Sequence, residues 1–483
     1  MINIKKAIGI SFAGQYLEVF IHFLAVLVLA RILTPTDIGT YSVAAFLMAV
    51  LHVFRDFGVA QYVIQERELT TEKIRSAMGV AIILALSVAL ILLLSSGIVA
   101  RFYGKPEIQK ILWVMAASFA ISPFGAINNA LFRREMQLKK IFVMRIGSTL
   151  CHVAVAISLA MYGFGALSLA GANFAGILSI GIIASLLRPS GMPWLPHFKN
   201  IKKVLSFGSV ASLGNAANTA GTNAPDLIVG KIMDMTSVGY LSRANGLVQL
   251  FTRLLTDGLL PLILPYFARL RREGSDLAEP YLASVKYLTV LTWPFFATMM
   301  LLAYPIVRTL YGQQWDASVP IVELLCIAGA VSSISMFASH VMVANGQVRN
   351  STYSQLIAQP FRIAAVLIAS YFGLIFVAIA IILSEFITLI IVSWYLHKTI
   401  NVGLFDVVRG CGKSALVTIS TIIVPLAVNI FWQDSASRPW LPLMIGGFGA
   451  AIGWIAGMAV TRHSLSPHLM SALHSVRLRY FSR

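Results

Sequence analysis

Apolar runs alternate with short polar connectors along the whole of this 483-residue chain. Runs such as 77–99 and 363–396 reach or exceed the roughly 20 residues that carry a helix across a bilayer. The pattern predicts about fourteen spans, at 7–30, 38–65, 77–100, 111–132, 141–161, 165–187, 204–230, 238–268, 281–304, 319–345, 353–371, 374–396, 414–432 and 440–461. The first and seventh spans carry polar stripes. Asn215, Asn218, Thr219, Thr222, Asn223 and Asp226 in the seventh, and Ser11, Gln15, Glu18 and His22 in the first, recur at steps that place them near one helix face. Such a face is costly against lipid. Either both stripes line one hydrated cavity, the more economical reading, or they are consumed by hydrogen bonds inside a closed bundle.

The two stripes are also related to each other. Gly14, Gln15, Glu18 and His22 align with Gly214, Asn215, Asn218 and Thr222 at an offset of 200, and Ala30-Arg31-Ile32-Leu33-Thr34-Pro35-Thr36-Asp37-Ile38-Gly39 aligns with the segment from Gly230 to Gly239. Gly58 matches Gly258 at the same offset, after which it becomes 208, where Phe102-Tyr103-Gly104 matches Leu310-Tyr311-Gly312 and Gly165 matches Gly373. The chain therefore reads as a six-helix lobe over 1–200, a second six-helix lobe over 201–400, and two additional helices with a basic tail over 401–483. An even number of spans per copy makes both copies enter the membrane the same way, so their axis lies along the membrane normal.

Composition agrees with a membrane protein and with no ordinary soluble domain: 58% of residues are hydrophobic and 12% charged. The net charge of +18 would suggest a nucleic-acid partner if it were spread over a soluble surface. Assigning connectors to alternate faces instead puts 24 of the 37 Lys and Arg on the side of the termini and 7 on the other, with 6 inside spans beside 6 acidic residues. By the positive-inside rule both termini are cytoplasmic, and nucleic acid is not a partner. Lys5-Lys6 precede a run of span length with no nearby cleavage site, so the first segment is expected to stay as a helix. Cys151, Cys326 and Cys411 suggest neither a disulfide framework nor a metal site.

Charges at membrane depth are the candidate chemistry. Arg55 with Asp56 precedes Gly58, and Arg253 with Asp257 precedes Gly258, so each copy brings a basic and an acidic group to a similar level. These groups serve either substrate binding and coupling or internal ion pairing. Arg145, Glu323, Arg362 and Glu385 read as structural partners or as residues at the membrane interface. His22, His52, His152 and His340 lack the spacing of a metal site and read as solitary polar packing. The Gly412-Lys413-Ser414 end of a P-loop pattern has Val407 where its first glycine belongs, so nucleotide binding is rejected. Pro225, Pro261 and Pro265 are expected to bend spans seven and eight, around a lumen or as plain curvature. Gly449, Gly453 and Gly457 give the last span a close-packing face, for span thirteen or a lobe, or for a second copy.

Ala30 to Pro35 with Gly39, Asp56-Phe57-Gly58 with Gln61 and Gln65, Arg133-Arg134-Glu135-Met136, Leu205 to Gly208, Asp226 to Gly230, Gly239 to Ala244 and Pro261 to Arg271 together resemble the Wzx-type polysaccharide flippases of the multidrug/oligosaccharidyl-lipid/polysaccharide (MOP) superfamily. The likeness runs nearly end to end and is greatest to exporters serving succinoglycan-type exopolysaccharide, colanic acid and lipopolysaccharide assembly. It implies an all-α, MATE-like integral membrane protein that carries polyprenyl pyrophosphate-linked oligosaccharide across the bacterial cytoplasmic membrane by alternating access, beside a polysaccharide polymerase and chain-length machinery. In that setting Arg55, Arg243 and Arg253 are the candidates for the anionic group, with Gln15, Asn215, Asn218 and Thr222 for polar contacts. Glu18, Asp56, Asp226 and Asp257 are candidates for sugar or for a coupling ion, proton or sodium. No cofactor is called for. The rivals are a drug or cation antiporter of the same superfamily, which would favour an acidic or aromatic cavity, and a membrane polymerase or ligase, which would need catalytic groups in a large loop. The loop at 305–318 offers only Arg308 and Asp316 as charges.

Overall fold

The computed structural model describes residues 4–55, 59–188, 196–197, 209–432, 438–463 and 465–466; side chains are described for these except 4–13, 53–54, 61, 209–216 and 255–261. Its elements are helical throughout the described residues. The chain divides into two compact units, Met1–Ser242 and Arg243–Arg483.

The first unit holds α1 (Ile4–Ile32), α2 (Pro35–Arg55), α3 (Val59–Gln65), α4 (Thr71–Tyr103), α5 (Pro106–Arg134), α6 (Leu138–Met161), α7 (Ala166–Leu186), α8 (Ser209–Ile232) and the first residues of α9 (Met235–Arg272). Side chains cap the starts of α2 and α9. Thr34 and Asp37 cap α2 reciprocally, the Thr34 amide donating to Asp37 Oδ2 at 3.0 Å and the Asp37 amide to Thr34 Oγ1 at 3.2 Å. At the repeat position the roles exchange, and the Ser237 amide donates to Asp234 Oδ1 at 2.8 Å to open α9.

The duplicated caps lead into a contact between repeat-mates. Thr36 Oγ1 lies 2.8 Å from Thr236 Oγ1, and the Ser42 hydroxyl donates to Ser242 Oγ at 2.8 Å. Between these two bonds Gly39 and Gly239 bring backbone against backbone. A Cβ on Gly39 would collide with the Met235 carbonyl and stand 2.9 Å from Gly239 N, and one on Gly239 would collide with the Pro35 carbonyl. Glycine is required at both positions by this approach, with no demand for positive φ.

The second unit continues α9 and adds α10 (Ala278–Leu301), α11 (Ala303–Leu310), a 3₁₀ turn at Gln313–Ser318, α12 (Val319–Ser335), α13 (Ala338–Ala344), α14 (Val348–Ser370), α15 (Leu374–Ile400), α16 (Leu404–Gly410), α17 (Gly412–Phe431) and α18 (Trp440–Thr461). The repeat is visible in the backbone as well as the sequence. Left-handed Met136 and Gly346 precede α6 and α14, and Gly165 and Gly373, both with positive φ, precede α7 and α15. Tyr281, Leu288, Phe337, Val341, Leu389 and Leu396 build the core where α10, α13 and α15 meet.

The glycine face of α18 packs on α17 within the unit. A Cβ on Gly453 would sit 3.0 Å from Thr421 Cα and one on Gly457 3.1 Å from Val417 Cα, while Ser420 Oγ donates to the Gly453 carbonyl at 3.1 Å. Of the two readings of those glycines, this is the packing one. A hydroxyl pair, Thr289 to Ser414 at 2.9 Å, ties α17 to α10 in turn.

Among the described residues, nine helical segments are long and apolar enough to cross a bilayer, or ten when α10 and α11, bent by 76° at Leu302, count as one span. The chain is a multi-pass membrane protein. Expected spans at 38–65, 204–230, 238–268 and 353–371 fall outside that set: the first three include residues or side chains that are not described, and α14 carries Arg349, Asn350, Gln355, Gln359 and Arg362, which dilute its hydropathy.

Candidate functional site

Arg55 ends α2, half-buried, with its guanidinium 5.8 Å from the centre of the Phe119 ring of α5. It lines a small recess with Val59, Ala81, Ser122 and Pro123, about 30 Å³ in volume, room for a water. Pro123 makes that wall possible. Lacking an N–H, it leaves the Phe119 carbonyl without its helical donor, and the Ser122 hydroxyl supplies one at 2.8 Å. His52 joins the same patch, its ring 4.6 Å from Phe119.

On α8 the polar stripe is partly turned onto its own backbone. Thr222 Oγ1 donates to the Asn218 carbonyl at 2.8 Å and Asn223 Nδ2 to the Thr219 carbonyl at 2.8 Å. Pro225, inside the helix, withholds a donor from the preceding turn, and half-buried Asp226 follows it. The end of α8 is held by α4: Tyr103 donates its phenol to the Leu227 carbonyl at 3.2 Å, and Lys231 Nζ donates to the Phe102 carbonyl at 2.6 Å while lying over the Phe102 ring.

The first stripe meets α6. Glu18 lies 3.7 Å from Arg145 across α1 and α6, and His22 packs edge-to-face on His152 with ring centres 5.4 Å apart. Arg145, read from sequence as a structural partner, thus has Glu18, read as a coupling candidate, as its acid. His22 and His152 are a pair, where the sequence suggested isolated packing: residues 130 positions apart give no spacing signal, and the helix contact alone brings them together. Half-buried Gln15 sits one turn before Glu18.

In the second unit Arg243 lies against two aromatic rings that meet edge to face, 5.1 Å from the centre of Tyr311 and 4.9 Å from that of buried Trp315. Neither aromatic residue was singled out as a site from the sequence, although Tyr311 belongs to a repeated triplet. Arg253 is exposed on α9. Arg362 pairs with Glu385 at 2.6 Å, as the structural reading of both residues expects. Asp56 and the side chains of Asn215 and Asp257, three further candidates, lie outside the described residues. No group of three or more His, Cys, Asp or Glu suited to a metal occurs among the described residues.

A long all-helical membrane chain, internally duplicated and carrying arginines and carboxylates on its least apolar helices, has the architecture of the MOP transporters. The inward closed form of the lipid II flippase MurJ matches it with a TM-score of 0.74 over 93% of this chain and 98% of that one, at 14% identity. An inward-facing multidrug resistance MATE family transporter of the MOP superfamily matches at 0.64 over 80% of this chain and 94% of that one, at 15% identity. A family model described as polysaccharide biosynthesis protein matches residues 28–320, and the chain belongs to that family. Among curated relatives, the succinoglycan biosynthesis transport protein ExoT of Rhizobium meliloti (strain 1021) is 24% identical over 350 residues, 70% of this chain and 69% of that protein.

Proposed function

We propose that this protein is a flippase that moves polyprenyl pyrophosphate-linked oligosaccharide across the bacterial cytoplasmic membrane for exopolysaccharide or lipopolysaccharide assembly. Membership of the polysaccharide biosynthesis family carries the reading, and the transport named for its succinoglycan relative and the flipping named for its structural neighbour agree with it. The chemistry of the polar helices fits such a cargo. A pyrophosphate needs cations in a polar route, a hydrated sugar needs hydrogen-bonding side chains, and the lipid tail stays in the bilayer.

Arg55 and Arg253 are the ligands we assign to the anionic group, each following its joint glycine by a similar length of chain, with Asn215, Asn218 and Thr222 offering polar contacts. Arg243, packed against two rings, has its planar fork pre-oriented. The termini face the cytoplasm, and a polymerase with its chain-length machinery receives the product. A drug antiporter shares the fold through its MATE neighbour, but the candidate cations favour an anionic cargo.

Glycan export in cells lacking their own transporter tests the reading. The R55A/R253A double variant is expected to lower export at least about tenfold and to accumulate the lipid-linked intermediate, a loss of roughly 1.4 kcal/mol or more. Lysine at both positions restores export in part when charge dominates and little when bidentate geometry dominates. Normal export by the alanine pair at ordinary protein level removes these residues from the mechanism. Reporter fusions after Arg134, Lys203 and Arg272 should register cytoplasm and those after Lys105, Lys231 and Arg438 periplasm; reversal at several sites overturns the orientation.

A further inference from the structure

Three helix ends of the second unit gather positive charge that no acid answers. α17 and α18 run antiparallel, Ser420 against Gly453 and Val417 against Gly457, and the same register brings Lys413 to the end of α18, where its Nζ donates to the Arg462 carbonyl at 3.4 Å. Lys286 of α10 joins them. A Cβ on Gly410 would stand 3.2 Å from Lys286 Cε, and the Ser414 hydroxyl donates to the Lys286 carbonyl at 3.4 Å. Buried His463 is fixed just beyond α18, its Nδ1 accepting the Leu465 amide at 3.3 Å, and the charges of Lys413 and Lys286 both act on it.

Lys286, Lys413 and Arg462 form no ion pair among the described residues. Asp406 is engaged in capping α16, accepting the Gly403 amide at 3.0 Å, and Glu279 lies two turns before Lys286. Beyond Asp406 the only acid in the chain is Asp434, in the connector at the opposite ends of α17 and α18.

Depth makes the imbalance informative. Lys286 stands five residues inside the expected span 281–304, about 7.5 Å along the helix. An ammonium there is costly unless its stem carries it out to an anion. The connecting helix α16 marks the level of that anion: Phe405 and Val408, about one turn apart, are exposed and apolar, and Arg409 beside them is exposed and basic, as in a segment lying in the membrane interface. Along α17, exposed Leu416, Ile419 and Ile423 lead from Lys413 into the apolar layer.

We propose that Lys286, Lys413 and Arg462 bind the phosphate of an anionic phospholipid of the bilayer, its acyl chains lying on Leu416, Ile419 and Ile423. The site goes beyond the flippase reading and requires nothing of the cargo. Two ammonium groups and a guanidinium supply the donors that a phosphodiester accepts. A zwitterionic headgroup brings its own cation to its phosphate, so the site selects lipids with net negative charge. The bound phosphate supplies the missing acid, and the two helices outside the repeat are fastened to α10 by lipid as well as by the Thr289 and Ser414 hydroxyls.

Thermal unfolding of the full-length protein in neutral detergent tests the site, with phosphatidylglycerol as the probe. Phosphatidylglycerol should raise the midpoint, and phosphatidylcholine at the same concentration should not. K286Q/K413Q should weaken the apparent affinity for phosphatidylglycerol roughly 25-fold, about fivefold for each lysine lost. K286R/K413R should retain it, and K139Q, which removes an exposed lysine of α6, should leave it unchanged. Wild-type affinity in K286Q/K413Q, or equal protection by phosphatidylcholine, overturns the site. Equal stabilisation by glycerol 3-phosphate or inorganic phosphate would mean that a soluble anion occupies the cluster, and overturns the lipid assignment. Should the lysine pair fail to insert, R462Q, at an exposed position past the end of α18, decides: about a fivefold loss supports the site, and unchanged affinity overturns it.

Discussion

Two acid–base pairs, one in each copy but at positions the repeat does not relate, differ in almost every respect. Arg145 on α6 and Arg362 on α14 arise from helices that begin in the same way, after a left-handed residue and a glutamine. Arg362 meets Glu385 of the next helix at 2.6 Å, with the two side chains 13% and 15% exposed. Arg145 meets Glu18 of the first helix at 3.7 Å, with 40% and 31% exposure. The closer pair is largely enclosed and is held by mutual attraction in a low dielectric, whereas the looser pair is more exposed. Each copy thus holds its own kind of pair, a close one in the second and a loose one in the first.

The largest effect is expected at the buried pair. R362A strands the Glu385 carboxylate and should cost about 3–5 kcal/mol, read as a fall in folded yield and in the thermal midpoint of the purified protein. R362M/E385M removes both charges at similar volume and should recover most of that loss; a double variant as unstable as the single would mean that the pair does more than balance charge. The smallest effect is expected at the exposed pair. E18Q should change stability by about 1 kcal/mol or less, and the modest salt dependence of the wild-type midpoint should shrink with it. A loss at Glu18 as large as that at Arg362 would break the comparison.

How much of this was legible in sequence depends on how local the signal is. The duplication, the caps at Thr34 and Asp234 and the glycines at 39 and 239 are written in consecutive residues, and the structure uses each of them. Arg362 and Glu385 could be read as partners because an intramembrane charge needs one and neighbouring spans are close in the chain. His22 with His152, and Arg243 with Trp315, depend on which helix lies beside which, and no periodicity within either segment reports that.

The joint at Gly39 also bears on how the protein is made. Its partner surface, Met235 to Ser242, follows two hundred residues later, which at about 5–20 residues per second takes roughly 10–40 s to synthesise. During that interval α2 has entered the bilayer with two hydroxyls and a bare stretch of backbone still waiting for their counterparts. The first copy therefore completes its assembly only when the second begins to emerge, and a nascent chain halted before residue 235 should be a preferred client of membrane quality control. Synthesis order, as much as contact energy, is imprinted on this fold.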